Sequence, residues 1–399
     1  MTTKYDLYSE DFKKNSYATF KEMRKVDPII QQLGLDGVTP IWFFSRYEDV
    51  NDLLRDKRLV RDEKWARPKE KQYTPSPLEE LISNHMLNKD GDDHRRLRNL
   101  VSQAFTPKRV QKLEPRIQNL ADELIDNVYQ EGKMDVIADF SAQLPTIVIL
   151  EMLGVPLKDR DKLREWSRIF IDLVSQEEFM QAAAAFTQYL RKLFDERRQD
   201  PKDDLMSALL QAEEEGDKLS EGELFSTLVL LVVAGHETTM NLVGNAVLAL
   251  LQDKNKLETL KHHPEMMKDA VEEFLRYDAP VERALFRLVA EDMDYKGFKL
   301  KRGEAVILII GSANRDEAQF TEADKLVLDR QSNPHLSFGK GIHYCLGAPL
   351  ARLEGAIALN TLIKRLPNLR LAVSPDNLTW RNSPGFKGLK HLPVKWDSI

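Results

Sequence analysis

The chain has one cysteine in 399 residues. That excludes an internal disulfide and any zinc site built from several thiolates, and it suits a reducing compartment. Long apolar runs are missing too. The longest, Leu228 to Ala234, is far too short to span a bilayer. Met1 to Tyr17 is polar with scattered charges and lacks the apolar core of a signal peptide or anchor. A cytoplasmic protein without a membrane anchor is therefore expected. There is no cationic excess: Lys+Arg 58 against Asp+Glu 64 gives net −6, which removes the global basic footprint of a nucleic-acid binder. Internal repeats, low-complexity stretches, linkers and a dinucleotide or flavin fingerprint are all absent. What remains is 42% hydrophobic with mean hydropathy −0.44, the composition of a soluble globular chain.

Most of that chain reads as helix. Ser16 to Val26 is amphipathic. Pro28-Ile29-Ile30 and Ile41-Trp42-Phe43-Phe44, separated by Gly34, Gly37 and Pro40, predict an early hairpin. Tyr47 to Leu54 has helical spacing. From Arg61 to Asp90 charges and Pro68, Pro75 and Pro77 break the pattern and predict a long loop. Helical periodicity returns from His94 to Phe105, restarts at Thr106-Pro107 and runs to about Gly216, with breaks at Gly132, Gly154-Val155-Pro156 and Pro201. Leu219 to Leu251 predicts one unusually long helix, and Lys254 to His263 and Pro264 to Tyr277 predict two more. Val289 to Gly311 and Leu369 to Trp396 read as short strands. The simplest account is a single, predominantly α-helical α+β domain over 1–399. Its β-rich parts are about 28–45, 283–330 and 369–396, and its helical core is about 92–277 and 346–365.

The lone cysteine sits in Phe338-Gly339-Lys340-Gly341-Ile342-His343-Tyr344-Cys345-Leu346-Gly347, directly before a predicted helix that opens at Ala348-Pro349. A sulfur there faces free N–H groups and the positive end of the helix dipole, and both favour thiolate over thiol. Such a thiolate can be the axial ligand of a haem iron. A lone cysteine is more often a small buried side chain; the glycine spacing argues against that here. A second signal, Ala234-Gly235-His236-Glu237-Thr238-Thr239, lies inside the long helix. Two small residues open a gap and an acid and a hydroxyl follow, although the glycine alone fits close packing on a neighbouring helix equally well. A third is Glu273-Phe274-Leu275-Arg276, an acid and a base on one helix face.

Phe-x-x-Gly-x-x-x-Cys-x-Gly resembles the haem-thiolate loop of the cytochromes P450, and the other motifs resemble the same family from Ile41 to Trp396. The resemblance implies the P450 fold, with a long central helix over haem b. It makes Cys345 the iron ligand within a loop shaped by Phe338, Gly339 and Gly347, and it puts dioxygen in the Ala234/Gly235 gap. Glu237 and Thr238 become the acid–alcohol pair that delivers protons, and Glu273 and Arg276 a buried structural pair. His94, Arg98, Arg287 and His343 become partners of the haem propionates. His236 falls where the family varies and is read as packing. Glu317 stands where relatives often carry Pro.

The implied activity is insertion of one oxygen atom from O2 into a C–H bond of a medium-sized hydrophobic substrate: polyketide or macrolide, statin-like, steroid or fatty-acid-like. Electrons come from NAD(P)H only through a ferredoxin or flavodoxin with its reductase. Arg95, Arg96, Lys108, Arg109, Lys340 and Arg352 read either as a docking face for such an acidic partner or as solvated charges. Substrate-lining candidates by family position are Trp65 to Leu87, Ile169 to Met180, Leu230 to Ala234, Arg283 to Leu285 and Pro384 to Phe386. Arg283 is open between a protein carboxylate such as Glu282 and an acidic or carbonyl handle on the substrate. A monomer is expected. The rival readings are a peroxide-driven peroxygenase and a non-catalytic haem gas-binding protein.

Overall fold

The computed structural model describes residues 4–171, 174–212 and 219–397. Helices outweigh strands, and the strands come from both ends of the chain. Contacts divide the chain into two compact units: Met1–Val60, Leu113–Leu144 and Thr238–Ile399 form the first, and Arg61–Lys112 with Pro145–Glu237 form the second.

The first unit holds the sheets. Its five strands run in the order β1-β2-β8-β5-β3, with β1 Ile29–Leu33, β2 Pro40–Phe44, β3 Leu59–Val60, β5 Arg287–Val289 and β8 Ala305–Leu308. The expected hairpin is β1–β2, registered Ile29 opposite Phe44. β8 returns parallel to β2, pairing Trp42 with Val306, and β5 runs antiparallel to β8, pairing Arg287 with Val306. Lys133–Asp135 is β4, which pairs with β10 Pro393–Lys395; β10 also pairs with β9 Arg370–Leu371. Strands β6 Met293–Tyr295 and β7 Phe298–Leu300 close a tight hairpin. Lys296 and Gly297 both take positive φ there, as a two-residue turn matching strand twist requires. Trp42, Phe44, Tyr47, Val306 and Phe320 are buried together under this sheet, with edge-to-face contacts Phe44–Tyr295 at 5.6 Å and Tyr47–Phe320 at 5.5 Å.

Two sequence expectations need correction. The first helix begins at Glu10, not Ser16: Ser9 caps it by accepting from the Phe12 amide at 3.0 Å, with Glu10 and Asp11 in the first turn. The stretch from Arg61 to Asp90 is no bare loop. It contains short helices at Glu63–Ala66 and Pro77–Ser83, the latter opened by a capping box. There Ser76 Oγ accepts from Glu79 N at 3.3 Å and Glu79 Oε2 accepts from Ser76 N at 2.7 Å. Ser-Pro-x-Glu was the available signal, outweighed by the prolines around it.

The second unit is helical. Trp166 stacks on Phe186 at 5.3 Å, and Phe170 on Phe186 at 5.8 Å. Gly154, at φ +74°, ends one helix where Asp204 approaches so closely that no side chain fits; Asp204 in turn accepts from the buried Arg197 at 2.7 Å. The expected helical end near Gly216 lies outside the described residues. The long helix is Glu221–Gln252, and the boundary between the units falls within it, after Glu237. Among the described residues, Val136–Leu153 and Glu221–Gln252 are long and apolar enough to cross a membrane, and both are mostly buried in the protein, as core helices are.

Candidate active site

Cys345 stands two residues before Gly347, the N-cap of the helix Ala348–Arg365, and its side chain is exposed. The loop closes on itself through the Cys345 amide, which donates to the Phe338 carbonyl at 2.9 Å. Gly339 and Gly341 take φ of +68° and +72°, a region that penalises any side chain. At Gly341 a Cβ would also come within 3.1 Å of the Leu54 carbonyl, so the loop lies directly on backbone. A Cβ at Gly347 would sit 3.9 Å from the Cys345 sulfur. The loop therefore holds the sulfur outward, at the helix end that stabilises its anion.

The ring of Phe338 fixes the start of this loop. The Arg352 guanidinium lies 4.5 Å from its centroid, and His335 and Tyr344 flank it at 5.9 and 6.4 Å. Arg352 is itself clamped by Glu272, at 2.6 and 2.8 Å, and His335 Nε2 meets the same carboxylate at 3.0 Å. Partial burial pushes the Glu272 carboxyl up, but the bonds from Arg352 and His335 outweigh it and hold it at about 2. Sequence reading missed Glu272 and His335 and left Arg352 open between a docking face and a solvated charge; the structure makes it a brace of the cysteine loop. Arg96 likewise pairs with Glu223, and Arg95 with Asp92.

Glu273 and Arg276 are fully buried and meet through two bonds of 2.7 Å. Arg276 also donates to the carbonyls of Asn314, Ala323 and Lys325. Glu273 accepts from the Val327 amide, Arg330 and Asn333. Every strong valence of the pair is used, as buried charges require.

On the long helix, Leu230, Ala234 and Thr238 follow at four-residue spacing and form one face. Ala234 is exposed and Leu230 and Thr238 are half-buried, while Val232, His236, Glu237 and Thr239 are buried. The helix thus has an uncovered face in its middle. Gly235 is a correction to the expected gap: a Cβ there would stand 2.8 Å from Ile149 Cγ1, so this glycine serves close helix packing and the opening belongs to Ala234. His236 is buried and its Nδ1 lies 2.7 Å from the Val232 carbonyl, in keeping with a packing residue.

In the second unit, His94 is buried and Arg98 half-buried one turn later on the helix Gly91–Ala104. In the first unit, Arg287 is buried on β5, with Nη1 3.4 Å from the Leu59 carbonyl, and His343 is half-buried in the cysteine loop. Arg283 does not face a substrate. It is buried against the N-terminal segment, donates to the Leu7 carbonyl and lies over the rings of Tyr8 and Phe12 at 5.0 and 5.1 Å. Glu282 is taken by Lys13 at 2.8 Å. The apolar neighbours Leu285 and Phe286 are exposed instead, at 44% and 49%. Glu317, the departure at a usual Pro, accepts from the buried Arg24 of the first helix at 3.1 Å. Residues 172 and 173, within the expected lining from Ile169 to Met180, lie outside the described residues.

Within the first unit, an outward soft sulfur at a helix start, exposed Leu285 and Phe286 and a buried arginine beside them on β5 are groups that fit a flat, apolar, anionic macrocycle with a thiolate-binding metal. Among the described residues no cluster of His, Cys, Asp and Glu forms a separate metal site.

Comparison with known proteins agrees with that chemistry. Residues 14–377 match the family model described as cytochrome P450. The polyketide biosynthesis cytochrome P450 PksS of Bacillus subtilis (strain 168) is 45% identical over 393 residues, 97% of each chain. Its solved structure superposes with a TM-score of 0.92, covering 98% of this chain and 100% of that one. The vitamin D(3) 25-hydroxylase of Pseudonocardia autotrophica is 40% identical over 398 residues, 98% of this chain and 96% of that protein. Myxobacterial CYP267B1 in complex with myristic acid superposes with a TM-score of 0.93 at 39% identity, covering 98% and 99%.

Proposed function

Since the chain belongs to the cytochrome P450 family, we propose that this oxygenase inserts one atom of O2 into a C–H bond of a medium-sized apolar substrate, with electrons from a separate redox protein. The reading takes residues 1–399 as one catalytic domain working in the cytoplasm. The observation that carries it is the outward Cys345 sulfur at the start of the helix Ala348–Arg365. Haem, when bound, supplies the oxygen-activating chemistry. Cys345 holds its iron, and Phe338, Gly339 and Gly347 hold the cysteine. His94, Arg98, Arg287 and His343 bind the propionates, since carboxylates select cationic and hydrogen-bonding partners. Ala234, with Gly235 drawing the helix against Ile149, would leave room for dioxygen. Glu237 and Thr238 carry protons there, the acid from a buried position and the hydroxyl from the uncovered face.

Retention of this acid–alcohol pair favours O2 with a reductase over the peroxide-driven alternative. The relatives support an apolar substrate with a long chain or fused rings: one is named for polyketide biosynthesis, one hydroxylates vitamin D(3), and one holds myristic acid. The partner is a small acidic ferredoxin or flavodoxin. Cations such as Lys340 in the cysteine loop give it contacts, so electron delivery slows as salt rises.

The test is spectroscopic. The reduced protein with carbon monoxide should show the long-wavelength Soret band of thiolate-ligated haem, and Cys345→His should lose it. A wild-type spectrum in that variant would remove the iron ligand and the reading with it. Turnover with a ferredoxin, its reductase and NADPH, but not with peroxide alone, separates monooxygenase from peroxygenase.

A further inference from the structure

Lys13 of the first helix is buried, at 2% exposure, although a lysine normally keeps its head in water. Its Nζ donates to Glu282 Oε2 at 2.8 Å and to the Phe386 carbonyl at 3.0 Å. Lys387, also buried, reaches back the other way. Its Nζ lies 3.0 Å from Ser16 Oγ and 3.3 Å from the Lys13 carbonyl, and 4.5 Å from the ring centroids of Tyr17 and Trp380. With Arg283 lodged on Leu7, Tyr8 and Phe12, three buried cations gather round one buried carboxylate. Stability alone does not call for this. Well-packed apolar residues serve as well or better than a buried ion pair, and what an ion pair adds is direction.

The direction is legible in the backbone. The amides of Glu282 and Arg283 both donate to the Gly385 carbonyl, at 2.9 and 3.2 Å, and Lys387 N donates to the Pro280 carbonyl at 2.9 Å. Val281 and Phe386 face each other as an isolated bridge. The segments 280–283 and 385–387 therefore run together, and the charge cluster rivets both to the first helix. Beyond the rivet, Ala284 N bonds the Leu308 carbonyl at 2.9 Å, and Arg287 is locked opposite Val306 on β5. Between those fixed points stand Leu285 and Phe286, the two large apolar side chains the segment exposes.

We propose that Glu282, held by Lys13, is a specificity-determining positioning residue: it sets where Leu285 and Phe286 stand, and so which apolar shape the enzyme accepts. This rests on the monooxygenase reading above and on the family position that makes Arg283 to Leu285 substrate-lining candidates. Glu282 touches no substrate itself. It acts through the backbone between it and the two side chains, and the N-terminal helix thereby becomes part of the substrate-recognition apparatus.

The experiment uses the full-length haem-loaded protein. Substrate-induced spin-shift affinities are measured for tetradecanoic acid, a flexible chain, and testosterone, a rigid fused ring system, in wild type, Glu282→Gln, Lys13→Met and Glu317→Gln. The last variant loosens the same helix at Arg24 but leaves the cluster intact. The ratio of the two affinities should shift roughly tenfold in Glu282→Gln and Lys13→Met, the scale on which a misplaced apolar contact discriminates ligands. It should hold in Glu317→Gln. If Glu282→Gln fails to retain haem, Lys13→Met decides. A normal carbon monoxide spectrum with an unchanged ratio, whatever the fall in melting temperature, overturns the proposal alone. Loss of the thiolate band in the wild type would instead overturn the monooxygenase reading.

Discussion

Glu272 and Glu273 are neighbours on the helix Met267–Tyr277, yet their carboxylates brace different things. Glu273 turns inward to Arg276 and Arg330 and ties the helix to the chain around Asn314 and Lys325. Glu272 turns to Arg352 and His335 and fixes the ring of Phe338, where the cysteine loop begins. One helix turn thus supports the thiolate twice, once through the core and once through the loop.

The inner brace should govern folding. Removing one partner of a buried, fully hydrogen-bonded pair strands the other charge, so Glu273→Gln or Arg276→Leu should destabilise by roughly 3–5 kcal/mol. Urea unfolding followed by tryptophan fluorescence, with haem content measured in parallel, would check it. A loss below about 1 kcal/mol would place the pair in the range of exposed ion pairs and contradict its burial.

The outer brace should set acid sensitivity. Glu272 is held at about 2, below its ordinary value of 4.5, so its contribution is complete above pH 4.5 and is lost as pH falls toward 2. Acid loss of the thiolate–carbon monoxide band should therefore begin in that window. Glu272→Gln should show a weakened band already at neutral pH and a shallower acid decline. Identical acid profiles for the two proteins would mean that Glu272 does not hold the loop.

Much of this site is readable in the sequence because it is local. The glycine pattern round Cys345 and the turn at Lys296-Gly297 each announce themselves within a few residues. Arg352 and Glu272 lie 80 residues apart, and nothing near either says that they meet. Arg283 is equally opaque: the partners left open were a protein carboxylate such as Glu282 and a handle on the substrate, whereas the Leu7 carbonyl and the rings of Tyr8 and Phe12 take it. Gly235 shows the same limit, since a glycine that makes room and a glycine that is packed upon read alike until Ile149 is placed. Local motifs thus name candidate residues, and tertiary contacts decide which of them are braces.

A third test concerns Glu354, buried on the helix behind the cysteine loop. Burial pushes its carboxyl up to about 8, so it is neutral at pH 7. A raised acid contributes fully below its unfolded value of 4.5 and loses that contribution as pH rises through 8. Wild-type stability should decline over this range. Glu354→Gln, which keeps the shape and cannot ionise, should remove the decline and exceed wild type at pH 9 by roughly 3–5 kcal/mol, at about 1.4 kcal/mol per pH unit of displacement. Urea unfolding at pH 5, 7 and 9 is the measurement, and parallel curves for the two proteins would rule the buried acid out.

The last test concerns Thr238 and separates proton delivery from packing. Thr238 lies one turn after the exposed Ala234 on the uncovered face of the long helix, beside the buried Glu237. If its hydroxyl carries a proton, removing it should leave haem and substrate binding nearly unchanged, since the helix remains. Electrons should still enter, but the reduced oxygen should leave as peroxide rather than in product. Thr238→Ala is therefore expected to cut product formed per NADPH consumed at least tenfold, the low end of what positioned proton transfer contributes being roughly 10²-fold in rate and partly masked by solvent water. Thr238→Ser keeps the hydroxyl and should restore most of the coupling, whereas Thr238→Val keeps the shape and should not. If Val couples as well as Ser, the residue's shape is what matters and the acid–alcohol role is wrong. Substrate affinity, measured in the same proteins, guards against a trivial explanation, because a packing defect at this face would weaken binding in Ala before it changed the fate of the electrons.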